Sequence, residues 1–465
     1  MMPRTRFLTV TRFLTVFTLL AFSFASCGGD NSTQQGSQEE EPATTTSAKV
    51  SSCVGDADVQ VPGAEFQEAA CLADLTTEGT QETGHTNPKD WAGLNAKETE
   101  NPSGVPGLQI DGYFPDDSRT NTNSEHNHDS QFVLRLPDEW NGKLVITGAS
   151  GNRPQYANDF IMSDWLLDRG YAFASTDKGN TGEEFYETGE NPGGSIAEWN
   201  YRVEELTRAT KIVVERYYAR GPRFTYTTGI SNGGYLVRYA LENTPELYDG
   251  GVDWEGNLFR AEGPNLLTYL PPAVKNYPDY ADTDDEEAFE AITEAGFPAE
   301  SEFLWEKYFD TYWKLSLEGY RKEFDPGYEE AEEEYDYLAR PQEVRDAVGR
   351  VQNTGALGKP MITLHGTLDA LLPIGESSET YRGLVEAAGR SDLHSYFAVE
   401  DGNHVDGFYD DYPDRLRPIL PCYRAAFEAL EETVEGNKPL PPGGFLSVPE
   451  EGGDVVNQCT LEETT

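Results

Sequence analysis

Gly229-Ile230-Ser231-Asn232-Gly233 sets a serine between glycines two residues away on either side. A serine hydroxyl is a weak nucleophile until a base takes its proton. The pattern G-x-S-x-G carries meaning when a β-rich run precedes it and a helical run follows, because the nucleophile then sits on a tight strand-to-helix turn that needs small neighbours. FTYTTG (224–229) and the helical pattern at 233–243 supply that context, and Gly234 adds a further small residue. Of the six histidines, His365, His394 and His404 follow Ser231. His404 lies in VEDGNHVDGF, a loop after the β pattern SYFAV (395–399), and loops at strand ends are where such a sheet holds its chemistry. His394 begins a strand and reads as structural, and His365 adjoins the acid candidate. That acid is Asp369 in MITLHGTLDALLPIGESSETY; Asp401, three residues before His404, reads as a turn-shaping rival. In this reading His404 accepts the Ser231 proton while Asp369 orients the imidazole and stabilises its cation. The backbone N–H of Asn232 and one from the loop Ala149–Asn152, with Gly151 the choice, would stabilise the oxyanion.

Such residues need a scaffold. QFVLRLP (131–137), KLVITG (143–148), YAFAST (171–176), FTYTTG and MITLHG (361–366) read as strands. Helical patterns at about 157–168, 197–218, 233–243, 375–389 and 415–434 alternate with them. This alternation predicts an α/β fold with a mostly parallel sheet covered on both faces. The expected core is 51–256 with 346–465, in which 51–130, rich in Gly, Pro, Asn and Asp, reads as an irregular entry segment. Residues 257–345 form acidic helical patterns interleaved with Trp305, Tyr308, Phe309, Tyr312, Trp313 and Tyr320. The segment reads as a helical lid, with each single aromatic packing the insertion's own core.

Residues 1–27 read as an export signal: Arg4, Arg6 and Arg12 precede an apolar run too short for an ordinary membrane span. The run ends in Phe24-Ala25-Ser26-Cys27-Gly28, which looks like a bacterial lipoprotein signal with Cys27 lipidated. Residues 28–50 are polar and low in complexity and read as a tether. Of five cysteines, Cys27 aside, Cys53, Cys71, Cys422 and Cys459 remain. In an oxidising compartment an even remainder suggests two disulfides, and proximity favours Cys53–Cys71 and Cys422–Cys459 among three pairings. The chain has 35 basic and 82 acidic residues, a net charge of −47, which excludes nucleic acid or an anionic membrane as a partner through basic patches and favours a neutral or weakly charged substrate. Any membrane association would come through the Cys27 anchor. The expected location is extracellular or cell-surface.

The order Ser231, Asp369, His404 is that of the α/β-hydrolases. From about 105 to 445 the chain resembles the tannase and feruloyl-esterase family of that fold, through LVITGASG, RGYAFASTDKGN, ERYYARGPRFTYTTGISNGG, PELYDGG, LHGTLD and GNH. RPQEVRDAVGRVQNTGALGKPMITLHGTLDALLPI also resembles hydroxybutyrate-oligomer hydrolase-like members. The resemblance implies a serine ester hydrolase with a large lid whose nucleophile, acid and base are Ser231, Asp369 and His404. Two departures stand out. The cysteines that many members carry beside the serine and histidine are replaced by Ile230, Asn403 and Val405. The run Asp279, Asp282, Asp284, Asp285 lacks the glycine turn and spacing of a calcium loop. It reads as a solvated acidic stretch, and His126, His128 and Asp129 as a polar loop; no metal or cofactor is expected. The resulting expectation is a secreted carboxylic-ester hydrolase acting on an aromatic acyl ester or a short hydroxyalkanoate oligomer. A serine peptidase on the same fold and a non-catalytic cell-surface binding protein are the alternatives.

Overall fold

A computed structural model of the chain describes residues 53, 59–115, 130–179, 191–436, 438–449 and 453–461. The export signal with Cys27, the tether, and His126, His128 and Asp129 lie outside them. Among the described residues ten strands form one sheet: β1 (Phe66–Leu72), β2 (Gly107–Phe114), β3 (Ser130–Pro137), β4 (Lys143–Gly148), β5 (Ala172–Thr176), β6 (Phe224–Ile230), β7 (Gly250–Trp254), β8 (Met361–Gly366), β9 (His394–Val399) and β10 (Gly444–Leu446). Their order is β1-β2-β3-β5-β4-β6-β7-β8-β9-β10. From β5 to β10 every neighbouring pair is parallel; β1, β2 and β3 join antiparallel at one edge.

Alternate residues of the parallel strands serve opposite faces, as a pleated strand requires. Leu144 and Ile146 of β4 pack with Val203 and Leu206 of α3 (Gly194–Tyr218) and with Leu236 and Val237 of α4 (Asn232–Asn243). Val145 joins Leu166 of α2 (Asp164–Asp168) and Tyr423, Phe427 and Leu430 of α11 (Leu420–Gly436) on the other face. Both faces are therefore apolar, and the strands read as continuous hydrophobic runs rather than alternating ones.

The entry segment is not irregular throughout. It forms α1 (Thr77–Glu82) and the strands β1 and β2. Two of the glycines that make 51–130 look loop-like, Gly107 and Gly112, serve close strand approach: a Cβ on Gly112 would stand 2.4 Å from the Phe66 carbonyl oxygen and 2.7 Å from the Phe132 ring. Glycine in a strand marks close backbone contact as readily as a turn.

Between β7 and β8 the chain leaves the sheet. It forms α5 (Leu266–Thr283), α6 (Glu286–Glu294), α7 (Glu302–Tyr308), a π-helical turn (Phe309–Trp313), α8 (Lys314–Phe324) and α9 (Gln342–Gly349). Trp305, Tyr308, Trp313 and Tyr320 are buried, Phe309 and Tyr312 are half-buried, and Tyr312 and Tyr320 face a cavity as well as packing the insertion. Of the acidic run, Asp285 caps α6 by accepting the Ala288 N–H at 2.9 Å, and Asp284 ends α5 in a left-handed conformation. The Asp285 carboxylate therefore has a local capping role. The chain returns through α10 (Thr380–Ala387) to β9. Disulfides Cys53–Cys71 and Cys422–Cys459 tie β1 to the segment before it and α11 to the C-terminal segment. No helix among the described residues is long and apolar enough to cross a membrane.

Candidate active site

Ser231 stands between β6 and α4 with φ 59° and ψ −120°, a conformation that side chains rarely adopt. The turn is held because the Ser231 N–H donates to the Trp254 carbonyl at 3.0 Å, while the Ser231 carbonyl accepts from Tyr235 at 3.0 Å and opens the helix. It also requires that α4 press against β4. A Cβ on Gly233 would lie 2.6 Å from the Gly148 carbonyl oxygen, so the second glycine of the motif is fixed by space rather than by rotation.

Residues from three strand ends meet at this hydroxyl. The Ser231 Oγ–H donates to His404 Nε2 at 3.0 Å, and His404 Nδ1–H donates to Asp369 Oδ2 at 2.8 Å. Asp369 Oδ1 accepts the N–H groups of Leu371 and Leu372, both at 2.8 Å. His365 Nε2 lies 3.2 Å from Asp369 Oδ2 and donates to the Leu372 carbonyl at 2.8 Å. Behind it Ser378 bridges His365 Nδ1 (2.7 Å) to Arg238 Nη2 (2.8 Å), and Arg238 Nε donates to Asp253 at 2.6 Å. Arg238 and Asp253 are fully buried, so removing one partner alone would strand a charge, at a cost of about 3–5 kcal/mol. Asp401 shapes its loop as expected: its φ is 57°, and its backbone bonds Thr367 and Arg417. His394 bonds Thr363 at 2.9 Å, and burial lowers its pKa to about 3.

A second carboxyl reaches this centre. Glu255, at the end of β7, is fully buried with φ 50°; its Oε1 accepts the Gly366 N–H at 2.6 Å, and its Oε2 stands 3.6 Å from His404 Nδ1. Burial and then the Asp369 charge push the Glu255 pKa well up. Burial acts the same way on Asp369, but the His404 charge and hydrogen bonds from His365 and His404 outweigh it and hold that carboxyl below its ordinary value. The two shifts run in opposite directions: Asp369 is biased toward its anion and Glu255 toward its neutral acid. Stability follows from the sign. A carboxyl with a raised folded pKa favours the fold below its unfolded value, about 4.3, and loses that contribution as pH rises toward the folded one. Glu255→Gln cannot titrate. Its unfolding free energy relative to the parent protein, measured from pH 5 to pH 9, is therefore expected to climb with pH until Glu255 ionises, with a slope of up to about 1.4 kcal/mol per pH unit. A constant difference across that range would mean that Glu255 is ionised throughout.

The Asn232 N–H opens α4 and has no acceptor among the described residues. Asn232 Nδ2 donates to the Gly151 carbonyl at 3.2 Å. Lys178, buried, donates from the far side to the carbonyls of Ala149 (2.8 Å) and Gly151 (3.1 Å), and burial lowers its pKa to about 7. In a trans peptide the C=O and N–H point opposite ways. Pinning those two carbonyls therefore turns the N–H groups of Ser150 and Asn152 away from Lys178. Ser150, Gly151, Asn152, Ser231, Asn232 and His404 all line one cavity of about 320 Å³. Its remaining wall is largely aliphatic, with Leu94, Ile230, Leu266, Leu315, Leu371, Leu372 and Val405; Tyr312 and Tyr320 are its aromatic members.

The helices after β7 touch every loop of this centre. The Tyr308 hydroxyl donates to Asn403 Oδ1 at 2.9 Å, Trp313 Nε1–H donates to the Ala370 carbonyl at 2.7 Å, and the Tyr320 hydroxyl donates to Asn232 Oδ1 at 2.7 Å. The structure thus brings together Ser231, Asp369, His404, Asn232 and the Gly151 loop. Glu255, Arg153 and the Arg238–Ser378 support carried no recognised sequence signal, and Lys178 lay in the segment RGYAFASTDKGN without a role assigned to it. The position of Glu255 immediately after the strand GGVDW was the one available hint.

Residues 117–253 match the family described as "Tannase and feruloyl esterase". The tannase and feruloyl-esterase resemblance holds. Residues 323–462 match a second description, "3HB-oligomer hydrolase (3HBOH)". The chain is 32% identical over 111 residues to a D-(-)-3-hydroxybutyrate oligomer hydrolase of Cupriavidus metallidurans, covering 23% of this chain and 15% of that protein. It is 27% identical over 189 residues to a probable feruloyl esterase of Arthroderma benhamiae, covering 36% of this chain and 32% of that one. The matches thus span less than a third of either relative. The crystal structure of feruloyl esterase B from Aspergillus oryzae superposes with a TM-score of 0.51 at 14% identity, covering 82% of this chain and 89% of that one. The fold is that of an α/β-hydrolase with a large, mostly parallel sheet.

Proposed function

We propose that the protein is an exported serine hydrolase of carboxylic esters, with Ser231 as nucleophile, His404 as general base and Asp369 as the orienting acid. The observation that carries this reading is the hydrogen-bonded chain Ser231–His404–Asp369 at the wall of a cavity of about 320 Å³. His404 takes the Ser231 proton as the oxygen attacks the ester carbonyl. The N–H of Asn232 and those of the 150–152 loop receive the developing oxyanion. His404 then protonates the leaving alcohol, and water, activated by the same imidazole, releases the acid from the acyl-enzyme. The helices of 257–345 act as a fixed cover that holds the three loops in register. Aliphatic walls and a volume near the lower end of the usual range, about 300–1,000 Å³, favour a short aliphatic acyl group over an aromatic one. Export with an anchor at Cys27 fits the two disulfides, which belong to an oxidising compartment.

The purified protein is expected to hydrolyse p-nitrophenyl butyrate and to take up one equivalent of a fluorophosphonate, with the matching anilide cleaved far more slowly. Preference for the anilide would make it a peptidase. Absence of labelling in folded protein would leave a binding protein.

A further inference from the structure

We propose that Arg153 forms a carboxylate subsite in the wall of the cavity, and that the esters taken there are short hydroxyacyl oligomers with a free terminal carboxylate. The inference rests on the ester-hydrolase reading and narrows it. In a chain of net charge −47, no Asp or Glu lines this cavity, and Arg153 is its one permanently charged wall residue among those described. The guanidinium is half-buried and preset. Nη1 donates to the Asp90 carbonyl at 3.2 Å and Nη2 to the Ala92 carbonyl at 2.9 Å, while the Tyr312 hydroxyl faces it from the π-helical turn. The entry segment and the inserted helices therefore converge on this one side chain. Backbone carbonyls fix its plane without neutralising its charge. The Asp90 carboxylate accepts the Asn87 N–H at 2.9 Å; its charge and the Tyr312 hydroxyl offset only part of the guanidinium's desolvation. Burial pulls the Arg153 pKa down, the sign of a cation whose desolvation its neighbours do not fully offset. A guanidinium has five N–H donors; the two carbonyls and the Tyr312 hydroxyl engage three, so two remain for a ligand.

A planar carboxylate fits such a fork. A dianionic phosphate would meet the repulsion of the whole chain twice over with the same single cation opposing it. The long-range field does not forbid a monoanion, because screening acts over about 8 Å at physiological salt, whereas contact with a desolvated guanidinium is local. The aliphatic residues that line the same cavity as Arg153 and Ser231 suit the methyl-bearing backbone of a hydroxyalkanoate. Its ester carbonyl would reach Ser231 while the acid end reaches Arg153.

The test compares the linear 3-hydroxybutyrate trimer with its methyl ester, which differ only in that charge. The parent protein is expected to show a kcat/KM ratio of about 10–100 in favour of the free acid, carried mainly by KM. In Arg153→Gln the ratio is expected to fall toward about 1, and in Arg153→Lys to lie between. Equal turnover of acid and methyl ester by the parent protein would overturn the proposal without recourse to any variant. So would a ratio unchanged in Arg153→Gln, which would make the arginine a tie for the entry segment. Failure of the parent protein to cleave either trimer or p-nitrophenyl butyrate would instead overturn the ester-hydrolase reading beneath it.

Discussion

Ser231→Ala is expected to lose turnover by about five to six orders of magnitude and to lose fluorophosphonate labelling entirely, while melting within a few degrees of the parent protein. The size follows from the covalent role: in serine hydrolases, removal of the nucleophile leaves only the contribution of binding and oxyanion donors. The fold survives because the turn is held by backbone groups. The Ser231 N–H and carbonyl, not its hydroxyl, bond Trp254 and Tyr235. Alanine meets the same positive-φ strain as serine, so the substitution neither adds nor relieves it. One neighbouring hydroxyl makes the assignment testable at the level of a peptide. Ser150 lines the same cavity, and its buried Oγ has no hydrogen-bond partner among the described residues. Mass mapping should place the adduct on the peptide of Ser231. An adduct on Ser150, or turnover retained by purified Ser231→Ala, would move the nucleophile.

The sequence made the centre legible where chemistry depends on local chain geometry. Ser231 is marked by the glycines its turn requires, and His404 and Asp369 by loops that follow strands which must be apolar to be buried on both faces. The order of those strands brings three loops distant in sequence to one edge. Residues that act across the fold left no such mark. Arg238 sits on α4 among apolar residues, and only β7 and Ser378 show why an arginine can be buried there. Lys178 stands on the loop after β5, and its two acceptors belong to the loop after β4. Glu255 follows β7, a strand short enough to pass as a turn-rich stretch. The misread of 51–130 has the same origin: composition cannot tell a glycine that bends the chain from one that admits a neighbour, and Gly112 is the second kind. The aromatics of the inserted helices were legible as packing, yet which loops they hold became visible only with the contacts of Tyr308, Trp313 and Tyr320.

Asp369→Asn is expected to lower kcat by about 10⁴ with a much smaller change in KM, on the precedent of the equivalent change in a chymotrypsin-type triad. Neither orientation of the amide fits the site. With the oxygen kept toward Leu371 and Leu372, the NH2 group faces His404 Nδ1 and His365 Nε2, so donor meets donor. His404 then does better with its proton on Nε2, pointed at Ser231, where a lone pair is needed. With the amide reversed, the NH2 group confronts two backbone N–H groups. Stability should fall as well. The Asp369 carboxyl is held below its ordinary value, so its contribution is present above the unfolded value, about 3.9, and fades only as pH drops through the folded one. The deficit of the variant should therefore be full at neutral pH and shrink in strong acid. Glu255 adds a finer expectation. Freed from the Asp369 charge and 3.6 Å from His404 Nδ1, it can ionise and orient the imidazole in part, so residual activity should rise with alkaline pH and disappear in Asp369→Asn/Glu255→Gln. Asp401→Asn should cost little. Near-normal activity in Asp369→Asn beside a crippled Asp401→Asn would transfer the acid to the histidine's own loop.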